Sequence, residues 1–169
     1  VPDDLKVKLP NSHDVIGDLL IVKLVDELLP YKAMIGGAFL RTTPNISSVF
    51  LDGGVKGDFR IRELECIAGT GSTETIHREF GVRMLTDPTK VYFNPRLSNE
   101  RYRTSQQVRD GETVIDMFAG VAPFGTVMCK CARPSIVYSI DLNPEAERFA
   151  RRNAEMNHIT NLVPITGDA

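Results

Sequence analysis

Three aspartates carry the first chemical signal in this chain. Asp116 lies inside "VIDMFAGVAPFG" (114–125), Asp141 closes "SIVYSID" (135–141), and Asp168 stands in the terminal "GDA". Each falls at or near the end of an apolar run, and open α/β sheets bind ligands beyond the carboxyl ends of such strands. Gly120 lets backbone come close to a ligand, and a helix starting just after it offers free N–H groups. Asp141 follows Asp116 by 25 residues, where a carboxylate can accept both hydroxyls of an adenosine-type ribose. A dinucleotide loop wants GxGxxG around its pyrophosphate, but "GVAPFG" has Ala122 in the second glycine's place, and Pro123 removes an N–H donor. The loop therefore suits an adenosyl ligand without phosphate, such as S-adenosylmethionine (AdoMet), and opposes a nicotinamide dehydrogenase on the same fold. A module that holds AdoMet and catalyses nothing is a third reading.

The elements around these residues change character near residue 110. From 112 onward the pattern is β-α-β-α-β. "TVIDMF" (113–118) and 135–141 are nearly continuous apolar runs, as buried parallel strands should be. "PFGTVMCKCA" reads as a short helix between them. The run 143–157 is a clear helix, with Asn143 as N-cap, Pro144 at the first position, and Ala146, Phe149, Ala150 and Ala154 as its inner stripe. "LVPITGDA" (162–169) is the third strand. Before residue 90, short amphipathic strands are expected at 14–24, 47–52, 58–69, 73–87 and 90–93, with a bulge or strand end near Glu63. One helix, starting near Pro30, interrupts them, and Gly36-Gly37 weakens its middle. Residues 96–111 read as a helix capped by Ser98, with Leu97, Tyr102, Ser105 and Val108 inward and Gly111 at its end. Three strands wound by right-handed crossovers leave "TVIDMF" at an open edge, yet it is too apolar for one, so the sequence reads as a fragment lacking strands that pair there.

Composition sets wider bounds. Hydrophobic residues make up 42% and charged residues 25%, ordinary proportions for a globular protein, and the net charge is −2. Between Arg78 and Arg109, however, seven Lys/Arg face three acids, Glu79, Asp87 and Glu100, a local excess able to follow a phosphate backbone. Three cysteines, with no CxxC and no histidine at ligand spacing, suggest reduced thiols in a cytosolic protein and no metal. No apolar stretch approaches a membrane span.

"VYFNPRLSNERYR", "DMFAGVAPF", "SIDLNPEA" and "GDA", together with "GVKGDFRIRELE" and "ETIHREFGVRM", resemble the archaeal tRNA (guanine37-N1)-methyltransferases over essentially the whole chain. The resemblance implies an α/β chain: a mixed α+β domain (1–90) that supports the site and touches RNA, a connecting segment and helix (91–111), and the first half of a Rossmann-like AdoMet-binding sheet (112–169), truncated. It implies methyl transfer from AdoMet to N1 of guanine 37, with tRNA as partner, in a cytoplasmic monomer without a membrane, and little activity from this chain alone. Deprotonating N1 puts charge on O6, so a base and a cation are needed. Glu100 matches the family's base and Arg60 the residue that meets O6. Arg101, Asp116, Phe118, Gly120, Asp141, Leu142, Asp168 and Ala169 match the cofactor contacts. Tyr92, Asn94, Pro95 and Arg96 match the base-pocket segment. Taken alone, Glu100 among its arginines is a surface ion-pair partner, Arg60 a solvated strand residue and His77 a structural one. The family usually has glycine at Ala122, where a methyl group is expected to crowd the cofactor loop, and its later Asn-Pro motif and a tRNA-gripping N-terminal domain are absent here. The nearest rival is the wybutosine-pathway transferase that moves AdoMet's aminocarboxypropyl group to tRNA.

Overall fold

The computed structural model describes residues 1–169. Its N-terminal part is a four-stranded sheet of β1 (Asp14–Ile16), β2 (Leu19–Val22), β3 (Ser48–Lys56) and β4 (Ile61–Gly69), in that spatial order. Helix α1 (Lys32–Thr42) makes the crossover between the parallel pair β2 and β3. The expected single strand over 14–24 is instead a tight hairpin, turned at Gly17-Asp18. Gly17 has φ +56°, and a Cβ there would sit 2.0 Å from the Thr75 hydroxyl, so no other residue fits. The expected bulge is present opposite Glu63, but the extra residue is on the partner strand: Gly53 and Gly54 together face it. Pro30 lies in a 3-10 turn (Asp26–Tyr31) ahead of α1. The Gly36-Gly37 pair does not break that helix. A Cβ on Gly36 would come within 2.9 Å of the Ile67 side chain, so the glycine is what lets α1 lie against β4.

Residues 73–87 also fold back on themselves, as β5 (Thr75–Glu79) and β6 (Val82–Thr86), turned at Phe80-Gly81 with both φ angles positive. "KVYF" is no strand. It is irregular chain that buries Val91 and Phe93 between the two halves. The helix expected over 96–111 is shorter: α2 spans Ser98–Ser105. Ser98 does not cap it; Asn94 does the capping one turn earlier, its side chain accepting the Arg96 N–H at 3.0 Å over a 3-10 turn (Pro95–Leu97). Its inward residues are Arg101 and Ser105, whereas Leu97 and Tyr102 are exposed and Gly111 belongs to a later turn. A buried arginine breaks the apolar pattern on which the expectation rested.

The C-terminal part is the expected β-α-β-α-β: β7 (Thr113–Met117), α3 (Pro123–Cys131), β8 (Ile136–Asp141), α4 (Pro144–Met156) and β9 (Leu162–Thr166), with the strands parallel in the order β7-β8-β9. Asn143 caps α4 through the Glu145 N–H, and Ala146, Phe149, Ala150 and Ala154 are buried as expected. Strand β7 lies at the sheet edge with Ile115 and Met117 more than half exposed. One apolar cluster joins Ile16, Leu19 and Phe50 of the first sheet to Val82 and Met84 of the hairpin and to Val121, Val127 and Phe149 beyond. That shared core seats the N-terminal sheet beside the β7–β9 strand ends. No helix is long and apolar enough to cross a membrane.

Candidate functional site

A cleft of about 360 Å³ opens beyond the carboxyl ends of β7–β9, within the range of small-molecule sites. One wall comes from the strand ends: Phe118 and Gly120 after β7, Asp141 at the end of β8 and Leu142 after it, Asp168 and Ala169 after β9. The opposite wall comes from the N-terminal sheet and the segment after the hairpin, as Arg60 and Tyr92. The Arg60 guanidinium lies over the Tyr92 ring, 5.1 Å from its centre. Arg60 itself has φ +52°, in the turn before β4. Asp58 and Phe59 of that turn line the cleft too, as do Asn143, Ala146 and Gly167, and sequence reasoning missed all five. Phe59 is a large apolar residue left 42% exposed within that turn, between Asp58 and Arg60.

Asp141 organises the strand-end wall. One carboxylate oxygen accepts the Gly120 N–H at 2.6 Å and the other the Asn143 N–H at 2.9 Å. An ionised carboxylate has about four acceptor positions, so both oxygens retain capacity for ribose hydroxyls. Gly120, at φ +54°, turns the loop so that its amide points back at Asp141. Ala122 is left-handed as well, at φ +58°, which explains why a glycine would be at ease there. Its methyl does not crowd the cleft. It packs with Val137, Ala150, Ala154 and Leu162 in the core under the sheet, which corrects the expectation.

Asp116 lies behind the cleft rather than in its lining. Its carboxylate accepts the Gly125 N–H at 3.3 Å, inside the first turn of α3. Pro123, at the first position of that helix, contributes no N–H. The helix terminus that a dinucleotide would use for its diphosphate is thus occupied by the protein's own carboxylate. Burial raises the Asp116 pKa to about 6, helped by the charge of Asp141. Because the folded pKa lies above the ordinary 3.8, native stability falls as pH rises from about 4 to about 6. Asp116→Asn keeps an acceptor for Gly125 and removes that dependence. Thermal unfolding followed from pH 4 to pH 8 is expected to give a flatter profile, with the variant ahead by about 2–3 kcal/mol at the alkaline end.

The other expected site residues lie outside the lining. Arg101, expected at the cofactor, is 1% exposed and spends its guanidinium on Glu79, at 2.5 and 2.8 Å, and on the Asn94 carbonyl at 3.1 Å. It packs over Phe93 and Phe124 and is a core ion-pair partner in this structure. Burial opposes ionisation of Glu79, but the hydrogen bonds and charge of Arg101, with His77 Nε2 3.6 Å away, outweigh it and bring the pKa down to about 2. His77, which also accepts the Gly17 N–H at 3.2 Å, is structural as expected. Arg96 donates to Asp14 at 2.7 Å, and Arg62 holds that same aspartate at 2.8 Å. Asn94 and Pro95 form the turn into α2. Glu100 is on the exposed face of α2, joined to Arg103 by two hydrogen bonds of 2.8 and 3.0 Å, and the arginine holds its carboxyl below the usual range.

Comparison with known proteins gives this arrangement its family. Residues 75–169 match the TRM5/TYW2 methyltransferase domain, and residues 1–73 match the TYW2 N-terminal domain. The chain is 43% identical over 170 residues to the tRNA (guanine(37)-N(1))-methyltransferase Trm5b of Pyrococcus abyssi, covering 100% of this chain and 51% of that protein. A crystal structure of Trm5b from that organism superposes with a TM-score of 0.90 over 99% of this chain and 51% of that one. The structure of Methanocaldococcus jannaschii Trm5 in complex with adenosine is 36% identical with a TM-score of 0.84, covering 98% and 51%. That of P. horikoshii TYW2 in complex with MeSAdo is 28% identical with a TM-score of 0.81, covering 99% and 60%. The chain spans about half the length of the two archaeal Trm5b proteins it matches. With its parallel β-α-β-α-β half, its strand-end aspartates and a match over residues 75–169, the chain belongs to the TRM5/TYW2 methyltransferase family.

Proposed function

We propose that this chain belongs to an enzyme that moves a methyl group from AdoMet to N1 of guanine 37 in tRNA. The observation that supports this most is the single cleft with strand-end acceptors on one wall and an arginine–tyrosine pair on the other. AdoMet supplies an electrophilic methyl carried by a positively charged sulfur. Asp141 accepts the ribose hydroxyls, Gly120 allows the loop to lie close, and Leu142, Phe118 and Ala169 offer apolar surface to the adenosyl moiety beside Asp168. Tyr92 supports a guanine taken out of its stack. Arg60 faces the charge that develops on O6 when N1 loses its proton. Glu100 accepts that proton, for which its carboxylate must leave Arg103. Asn94, Pro95 and Arg96 form the approach for the anticodon loop. Residues 1–90 support the base from one side, 91–111 connect, and 112–169 hold the cofactor. The whole protein works on tRNA as a cytoplasmic monomer.

The match of residues 1–73 to the TYW2 N-terminal domain favours a second reading, transfer of AdoMet's aminocarboxypropyl group to a modified guanine. Both place the cofactor in the same cleft, and the product separates them. The whole protein, incubated with AdoMet and a tRNA carrying G37, is expected to yield 1-methylguanosine at that position by nucleoside mass spectrometry. The much heavier aminocarboxypropyl adduct, or unmodified tRNA, would count against methyl transfer.

A further inference from the structure

The sequence "ARRNAEMN" (150–157) ends α4 with two asparagines four residues apart, Asn153 and Asn157. Both are buried, at 0% and 9% exposure, where an amide must find partners. Each finds them on the outer edge of β6. Asn157 accepts the Arg83 N–H at 2.8 Å and donates to the Arg83 carbonyl at 2.6 Å. Asn153 accepts the Leu85 N–H at 2.7 Å and donates to the Leu85 carbonyl at 3.1 Å. The spacing explains the match: four residues of helix rise about 6.0 Å, and two residues of strand span about 6.8 Å. The asparagine pair therefore stands in for a third strand beside the β5–β6 hairpin.

Asn153 does something that Asn157 does not. Its amide also donates to the carbonyl of Val121 at 3.1 Å. Val121 sits between Gly120 and Ala122, the two left-handed residues that shape the loop at the cleft. We propose that Asn153 is a positioning residue that holds the 118–122 loop in its ligand-binding form and ties it to the hairpin. This rests on the cleft being the AdoMet site. The two asparagines separate local positioning from general stability, because both clamp β6 and only one reaches the loop. Asn153→Asp replaces the donor with a carboxylate oxygen facing two carbonyls, and Asn157→Asp makes the parallel change against Arg83 and the helix.

The test compares wild type and both variants of the 169-residue chain in two measurements. Titration calorimetry with AdoMet is expected to show affinity about tenfold lower for Asn153→Asp than for Asn157→Asp, the loss of roughly one buried hydrogen bond. Native-state hydrogen exchange is expected to accelerate at the Gly120 and Ala122 amides in Asn153→Asp alone. Equal affinity and equal loop exchange in the two variants, with wild type binding AdoMet, would overturn the role of Asn153. Wild type that fails to bind AdoMet would overturn the cofactor reading instead, and the exchange rates still decide whether Asn153 holds the loop. Should Asn153→Asp not fold, Asn153→Ala, which deletes the donor without adding charge, is judged by the same outcomes.

Discussion

Glu100→Gln in the whole protein is expected to lower methyl transfer by about 10²- to 10⁴-fold, the usual worth of a positioned general base, while AdoMet affinity stays near wild type. The split follows from the geometry. Glu100 is on α2, outside the cleft lining, so the amide takes nothing from the cofactor's contacts. What it removes, under the proposed mechanism, is the acceptor for the N1 proton. Single-turnover rates with tRNA, beside titration of AdoMet, check both halves. The pair with Arg103 adds a direction. Because the arginine's hydrogen bonds hold Glu100 below its ordinary pKa, Arg103→Met is expected to move the acidic limb of the pH–rate profile to higher pH. Turnover unchanged by Glu100→Gln removes this carboxylate from the mechanism.

Glu79→Ala is expected to cost about 3–5 kcal/mol of folding stability, read by urea or thermal unfolding, because it leaves Arg101 buried without its counter-charge. The two side chains are 5% and 1% exposed and share two hydrogen bonds. The pH dependence has a definite sign. Glu79 titrates at about 2 in the fold against an ordinary 4.5, so the pair's contribution is present above about pH 4.5 and is lost as pH falls towards 2. The gap between variant and wild type should narrow on acidification over that window. Replacing both partners, as Glu79→Leu with Arg101→Met, should recover much of the loss, since apolar pairs of similar volume often replace buried ion pairs without penalty.

Glu79 and Arg101 also mark where the sequence stopped being legible. The C-terminal half was readable because its signals are local: apolar runs for β7 and β8, Asn143-Pro144 at the start of α4, and aspartates at strand ends. The loop residues were readable for the same reason, since Pro123 removes an N–H and Ala122 adds a methyl whatever surrounds them. The buried arginine was not, because Arg101 looks like any solvated helix residue until Glu79, 22 residues earlier, comes beneath it. Hairpin turns at Gly17 and Gly81 hid inside runs that alternate well enough to pass for single strands. Asn153 carried no signal at all, because its three partners sit on β6 and in the cleft loop, 68 and 32 residues away. Local patterns give elements; contacts between distant segments decide which polar residues the core accepts.

For the cleft to act as proposed, the space above Asp116, Asp141 and Asp168 must take a sulfonium nucleoside and offer no seat for a diphosphate. Parallel calorimetric titrations of the 169-residue chain with AdoMet and with NAD test it most directly. The expected result is saturable, one-to-one binding of AdoMet that Asp141→Ala weakens, with no heat from NAD. Binding of NAD, or AdoMet binding indifferent to Asp141→Ala, would contradict it.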